Sequence, residues 1–244
     1  MDLLINNNFK KVLQMTNFSR LDFFIKRENI ENLNLVVVGV GAIGRNVASM
    51  LGRLGPKSIT LVDDDTVEDH NIPAQNWRKS QIGKHKVSVV AEEINDQIDG
   101  VEVIELKTRW TPRDFINGNY DFIWSTVDNI EVRSRMFDFF KDRCRGFFDV
   151  RIGGPVIQNF FVDFEDKDDP SGDWYTKTLF PSGESHRFGC VQPMSNFIAG
   201  IAAGISVNTF TNKIGAKNWY TPQFTNFNAI DMCLSQENPS EIFA

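Results

Sequence analysis

Between residues 39 and 86 the chain gathers residue types that handle phosphate chemistry. The hexapeptide GVGAIG sets Gly39, Gly41 and Gly44 in a G-x-G-x-x-G pattern. It follows an apolar run at 35–38 (LVVV) and precedes RNVASMLGRLG, where Val47, Ala48, Leu51 and Leu54 recur at helical spacing. In such a strand–loop–helix the first glycine permits the tight turn and the second lets backbone approach a phosphate. The third lets helix and strand pack closely, and the helix N-terminus favours the anion. Asp63 closes the next apolar run, 58–62 (SITLV), about 20 residues on, where an acid holds ribose hydroxyls. To this point a nicotinamide-dependent oxidoreductase explains the pattern equally well.

The following segment separates the readings. VDDDTVEDHNIPAQNW brings Asp63, Asp65, Asn71 and Gln75 close together in sequence, and IGKHKVS supplies Lys84 and Lys86 at a helix start. Hydride transfer needs a flat apolar nicotinamide pocket and a proton donor. Carboxylates, amides and lysines instead suit a triphosphate with magnesium. Lys84 and Arg78 read as solvated, Lys86 as part of the site.

These residues need a frame. Strands are predicted at 58–62, 101–106, 120–124 and 146–150 as well as at 35–38. Apolar helical faces lie between them: Val87, Val90, Ala91, Ile94 and Ile98, then Ile130, Phe137, Phe140 and Cys144. Strands alternating with helices predict an α/β fold with a doubly wound, Rossmann-like, mainly parallel sheet. Past Gly153 the pattern changes to a strand at 156–164, an acidic surface loop (EDKDDPSGD), a buried helix at 194–214 and a late antiparallel strand at 224–230. With no repeat or linker, the expectation is one domain over 1–244. It comprises an N-terminal helical segment (1–33), a nucleotide-binding core (34–152), and late strands with a crossover loop and buried helix (153–244).

Bulk properties narrow the classes. The chain has 244 residues, 41% hydrophobic and 24% charged, as in an ordinary soluble protein. A formal charge of −6 argues against nucleic-acid and membrane-surface partners. No apolar run reaches the ~18–20 residues of a membrane helix, and MDLLINNNFKKVLQ lacks a signal-peptide core, so the expected location is cytoplasmic. Three scattered cysteines, Cys144, Cys190 and Cys233, form no CxxC pair. Cys144 reads as core. His70, His85 and His186 lack metal-ligand spacing, and the twenty-one phenylalanines read as core or subunit interface.

In order and spacing these motifs resemble the ThiF/MoeB/HesA superfamily of adenylyltransferases, related to ubiquitin-activating enzymes. The resemblance runs from about Phe18 to Ile214. It rests on Gly39, Gly41 and Gly44; Asp63 and Asp65; Asn71 and Gln75; Gly83 and Lys86; Ser125-Thr126-Val127-Asp128-Asn129; and a late cysteine at Cys190. The resemblance implies ATP and Mg²⁺ as cofactors. Asp63 would hold the ribose, Asn71 and Lys86 would contact phosphates, and Asp128 would bind the metal. It also implies a homodimer, with Arg20 reaching into the partner subunit's site, and a ubiquitin-like or sulfur-carrier-like small protein as the partner whose C-terminal carboxylate is activated. Cys190 is the implied nucleophile for a later thioester or persulfide.

Two departures stand out. The family arginine before the glutamine is Ala74 here, with Arg151 (in DVRIGG) and Arg20 as candidate replacements; the alternative for Arg151 is an ion pair or surface role. The CxxC zinc site of many MoeB-like members is missing, so no zinc is expected. The leading reading is an ATP-dependent adenylyltransferase, against a nucleotide-binding scaffold subunit or an NAD-dependent oxidoreductase.

Overall fold

The apolar run LVVV lies in a strand, β1 (Asn34–Val38), and SITLV forms β2 (Ser58–Val62); both are buried on both faces, as central parallel strands must be. Beside them lie β3 (Glu102–Leu106), β4 (Phe122–Ser125) and β5 (Gly146–Gly153), all parallel, in the order β3-β2-β1-β4-β5. Three antiparallel strands follow, β6 (Val156–Asp163), β7 (Phe224–Asn228) and β8 (Cys233–Gln236), completing one eight-stranded sheet. The expected Rossmann-like fold with late antiparallel strands is therefore observed. The structure is a computed structural model, which describes residues 16–179, 195–215, 217 and 219–236.

Side-chain alternation sends β1 to two cores. Leu35 and Val37 pack beneath α1 (Ala42–Leu54), α2 (Lys86–Gln97) and the later helix α5 (Asn196–Lys213). Val36 and Val38 face α3 (Ile130–Phe140) and α4 (Ser171–Lys177), whose Met136, Phe137, Phe140, Trp174 and Tyr175 are buried. Aromatic rings join the strands to the helices: Trp124 stacks on Phe148 at 4.6 Å, and Phe210 of α5 meets Trp124 edge-on at 5.1 Å. Among the described residues no helix is long and apolar enough to cross a membrane.

Two local expectations are corrected, and one strand is added. The acidic stretch EDKDDPSGD is not loop throughout, because α4 begins at Ser171 and buries Trp174 and Tyr175. The helix expected to carry Cys144 ends at Phe140, and Cys144 sits in the turn beyond it. Strand β8 had no counterpart in the sequence reading. Burial pushes the Cys144 thiol up to about 12, whereas Cys233 is exposed. Iodoacetamide at pH 8 is therefore expected to label Cys233 in the native protein and Cys144 only after unfolding, as read by peptide mass spectrometry.

Candidate nucleotide site

The strand order reverses between β1 and β4, and the crevice beyond their carboxyl ends is where open α/β sheets bind ligands. The glycine loop fills one side of it. Gly39 has φ +87°, a left-handed conformation that other residues adopt at a cost, and its N–H donates to Val62 O at 2.9 Å. A Cβ on Gly44 would lie 1.8 Å from Gly39 O, so this glycine is what lets helix and loop approach. A Cβ on Gly41 would meet nothing within 4 Å. Gly41 is also the N-cap of α1 and supplies no side chain to cap it, leaving the first-turn N–H groups without a side-chain acceptor from the cap. Gly41→Ala is accordingly expected to keep the parent urea midpoint. It should weaken ATP binding about tenfold or more by crowding the ligand, measured by calorimetric titration.

Asp63 braces this loop. Its Oδ2 accepts from Val40 N at 2.6 Å and its Oδ1 from Asp65 N at 2.8 Å. Burial raises its pKa above the usual carboxylate value, against the lowering effects of these two N–H groups and of Lys86. Lys86 opens α2 and is buried at 4% exposure, with Nζ 2.6 Å from Oδ2 of the exposed Asp65. Asn71 is buried too, and its Oδ1 accepts from Glu68 N at 3.0 Å, while Gln75 Oε1 accepts from Trp77 Nε1 at 3.0 Å. Their amide oxygens thus shape the loop between β2 and α2.

On the β4 side, Thr126 Oγ1 donates to Gly39 O at 2.6 Å and ties the two loops together. Asp128 is exposed, and the next residue, Asn129, caps α3 by accepting from Glu131 N and Val132 N. Asp63, Asp64 and Asp65 are the acids brought within 4.8 Å of one another among the described residues; Asp128 is not one of them. The open space at Gly41, the uncapped helix and a buried lysine fit a polyphosphate. The exposed carboxylate oxygens are hard donors of the kind magnesium takes.

The candidate cations fall differently from the sequence reading. Arg151 is 7% exposed and committed: Nε donates to Asp149 Oδ2 at 2.7 Å, and its terminal nitrogens donate to Thr178 O and Oγ1 at 3.2 and 3.1 Å. It projects to the α3–α4 side of the sheet and takes the ion-pair alternative, so it is not a freed replacement for the arginine missing at Ala74. Arg20 lies exposed in a 3-10 turn, Ser19–Leu21. Cys190 lies outside the described residues.

Arg45 was missed. From α1 it donates to Asn76 O, holds Glu93 of α2 at 2.7 Å and lies over the Trp77 ring at 4.3 Å. It thereby pins the segment carrying Asn71, Ala74 and Gln75 against the glycine helix. Its spacing to Ala48 and Gly52 places it on the buried stripe of α1, and that is the signal that could have revealed it.

Known proteins share this arrangement. The ThiF family profile matches residues 13–240. Ubiquitin-like modifier-activating enzyme 5 of Dictyostelium discoideum is 27% identical over 196 residues, 75% of this chain and 46% of that protein. The tRNA threonylcarbamoyladenosine dehydratase of Bacillus subtilis is 34% identical over 120 residues, 46% of this chain and 47% of that protein. The chain thus spans about half the length of these curated relatives. In fold it is similar to E. coli MccB crystallised with ATP, with a TM-score of 0.70 at 16% identity, covering 87% of this chain and 65% of that one. With the profile matched over nearly its whole length, the chain belongs to the ThiF family.

Proposed function

We propose that the chain is an ATP-dependent adenylyltransferase that activates the C-terminal carboxylate of a small ubiquitin-like or sulfur-carrier-like protein. The observation that carries this reading is the open, uncapped helix start at Gly41 beside a buried Lys86. Family membership and the similarity to a ubiquitin-like modifier-activating enzyme support it.

In this reading the N-terminus of α1 binds phosphate oxygens, Asn71 and Gln75 shape the adjoining loop, and Asp63 braces the glycine loop while facing the ribose. Asp128 would hold magnesium, with the Asp63–Asp65 carboxylates nearby in the same crevice; the ion supplies positive charge against the triphosphate. A carboxylate oxygen of the partner attacks the α-phosphorus, the bond to the bridging oxygen breaks, and pyrophosphate leaves with the electron pair. Lys86 offsets negative charge that grows on the leaving group. Cys190 is the proposed next acceptor: its thiolate attacks the acyl carbon and AMP departs. Arg20 is exposed beside Phe23 and Phe24, which are 59% and 48% exposed, and this surface supports a homodimer in which Arg20 serves the partner subunit.

One observation favours the scaffold alternative: Arg151 is committed elsewhere, which leaves Ala74 without an intrachain replacement among the arginines named from sequence. ATP titration separates these readings from the oxidoreductase. Binding strengthened by magnesium and not displaced by NAD is expected, and NAD binding in preference to ATP would refute the nucleotide assignment. Given such binding, Arg20→Ala separates enzyme from scaffold. Loss of activity with binding retained marks Arg20 as the relocated cation, whereas no turnover in the parent marks a scaffold.

A further inference from the structure

The charged cluster on the α3–α4 side of the sheet is not used by the chemistry above. Asp149 of β5 is fully buried at 0% exposure. Its carboxylate takes two guanidinium groups and a phenol: Arg133 meets Oδ1, while Arg151 Nε and Tyr175 Oη donate to Oδ2 at 2.7 and 2.9 Å. Each arginine continues to a different piece of backbone. Arg133, on the first turns of α3, donates to Val127 O, the residue before Asp128. Arg151 grips Thr178 O and Oγ1, just past the end of α4.

We propose that Asp149 is a positioning residue for the nucleotide site. Through Arg133 it fixes the Asp128 loop, and through Arg151 it fixes the end of α4. A buried carboxylate that accepts from Arg151 and pairs with Arg133 biases the direction of both side chains, with Val150 O as a further anchor for Arg133 at 3.3 Å. The loop it steadies is already tied to the glycine loop through Thr126 Oγ1 and to α3 through Asn129. Asp128 is thus the exposed residue between two fixed neighbours. The part of the proposal that concerns metal rests on the adenylyltransferase reading; the part that concerns the loop does not.

Asp149→Asn tests the anchor directly, but it strips the charge from a fully buried pair and can unfold the protein. Arg133→Met is the second variant. It leaves Asp149 held by Arg151 and Tyr175 and removes the bonds to Val127 O and to Val150 O of β5. Arg151→Met removes the other arm. Hydrogen exchange on the nucleotide-free protein reads the result, since Thr126, Glu131, Val132 and Arg133 amides are all hydrogen-bonded and measurable.

Arg133→Met is expected to speed exchange in a peptide covering 126–133 about tenfold or more and to leave a peptide covering 171–179 near the parent rate. Arg151→Met is expected to do the reverse. Magnesium titration of ATP binding is expected to need about tenfold more metal in Arg133→Met, with metal-free ATP affinity unchanged. Equal acceleration across the whole chain in both variants would mean a merely structural cluster and overturn the proposal. So would an unaltered 126–133 peptide. If the parent itself shows no magnesium-dependent ATP binding, the metal reading fails while the exchange experiment still decides the role of Asp149.

Discussion

Replacing Lys86 with methionine is expected to weaken Mg·ATP binding about a hundredfold while changing stability by less than about 1 kcal/mol. The asymmetry of its ion pair explains both halves. The Lys86 side chain is 5% exposed but that of Asp65 is 64% exposed. Methionine keeps the buried stem, and Asp65 left alone is still hydrated, so the fold loses little. In the proposed site the ligand loses a buried cation, and α2 carries no other. Asp65→Asn makes the opposite change by freeing Lys86 from its present anion, and binding of metal-free ATP at least as tight as the parent is expected. Calorimetric titration of the two variants checks the pair. Equal losses in both would assign Lys86 a structural role in holding Asp65.

Gly44→Ala is expected to destabilise the fold by about 3 kcal/mol or more, or to prevent folding. The added methyl carbon would stand 1.8 Å from Gly39 O, 2.9 Å from Gly39 C and 2.5 Å from Thr126 Oγ1. Two of these are backbone atoms of the glycine loop itself, so no rotamer change relieves the collision. Set against Gly41→Ala, the variant separates a glycine required by packing from one required by the ligand. Urea denaturation reads the difference, and a parent-like midpoint for Gly44→Ala would contradict the close approach of loop and helix.

What was legible in the sequence was what is local. LVVV read as a central parallel strand because a short apolar run fits burial on both faces, SITLV read as the next strand, and the glycine loop between strand and helix carried its own geometry. Asp63 and Lys86 followed from their distance along the chain. α4 escaped because Pro170, Ser171, Gly172 and Asp173 read as a turn. Their helix is held by Trp174 and Tyr175, which pack against Phe160 and Phe137 from elsewhere in the chain. β8 is four residues long and mostly exposed, so it shows no alternation to read. The α3 periodicity continued to Cys144 although the helix stops at Phe140, since a residue in the turn beyond it can still touch the same core.

The site divided in the same way. Arg45 pairs with Glu93 48 positions away, and no local motif announces such a partner. Arg151 was ambiguous for a related reason. Its second anchor, Thr178, lies 27 positions on, across an acidic stretch that gave no sign of a helix. Charge type was readable from the sequence, and commitment of that charge was not.

Exchange of labelled pyrophosphate into ATP tests the central claim most directly, because it requires a reversible adenylate and not merely a filled pocket. With the full chain, magnesium and small carrier proteins with a free C-terminal carboxylate, exchange above background is expected for a matching carrier. That exchange should vanish on deleting the carrier's last residue and fall steeply in Lys86→Met. Tight magnesium-dependent ATP binding with no exchange for any carrier would contradict the adenylyltransferase assignment and leave a nucleotide-binding scaffold.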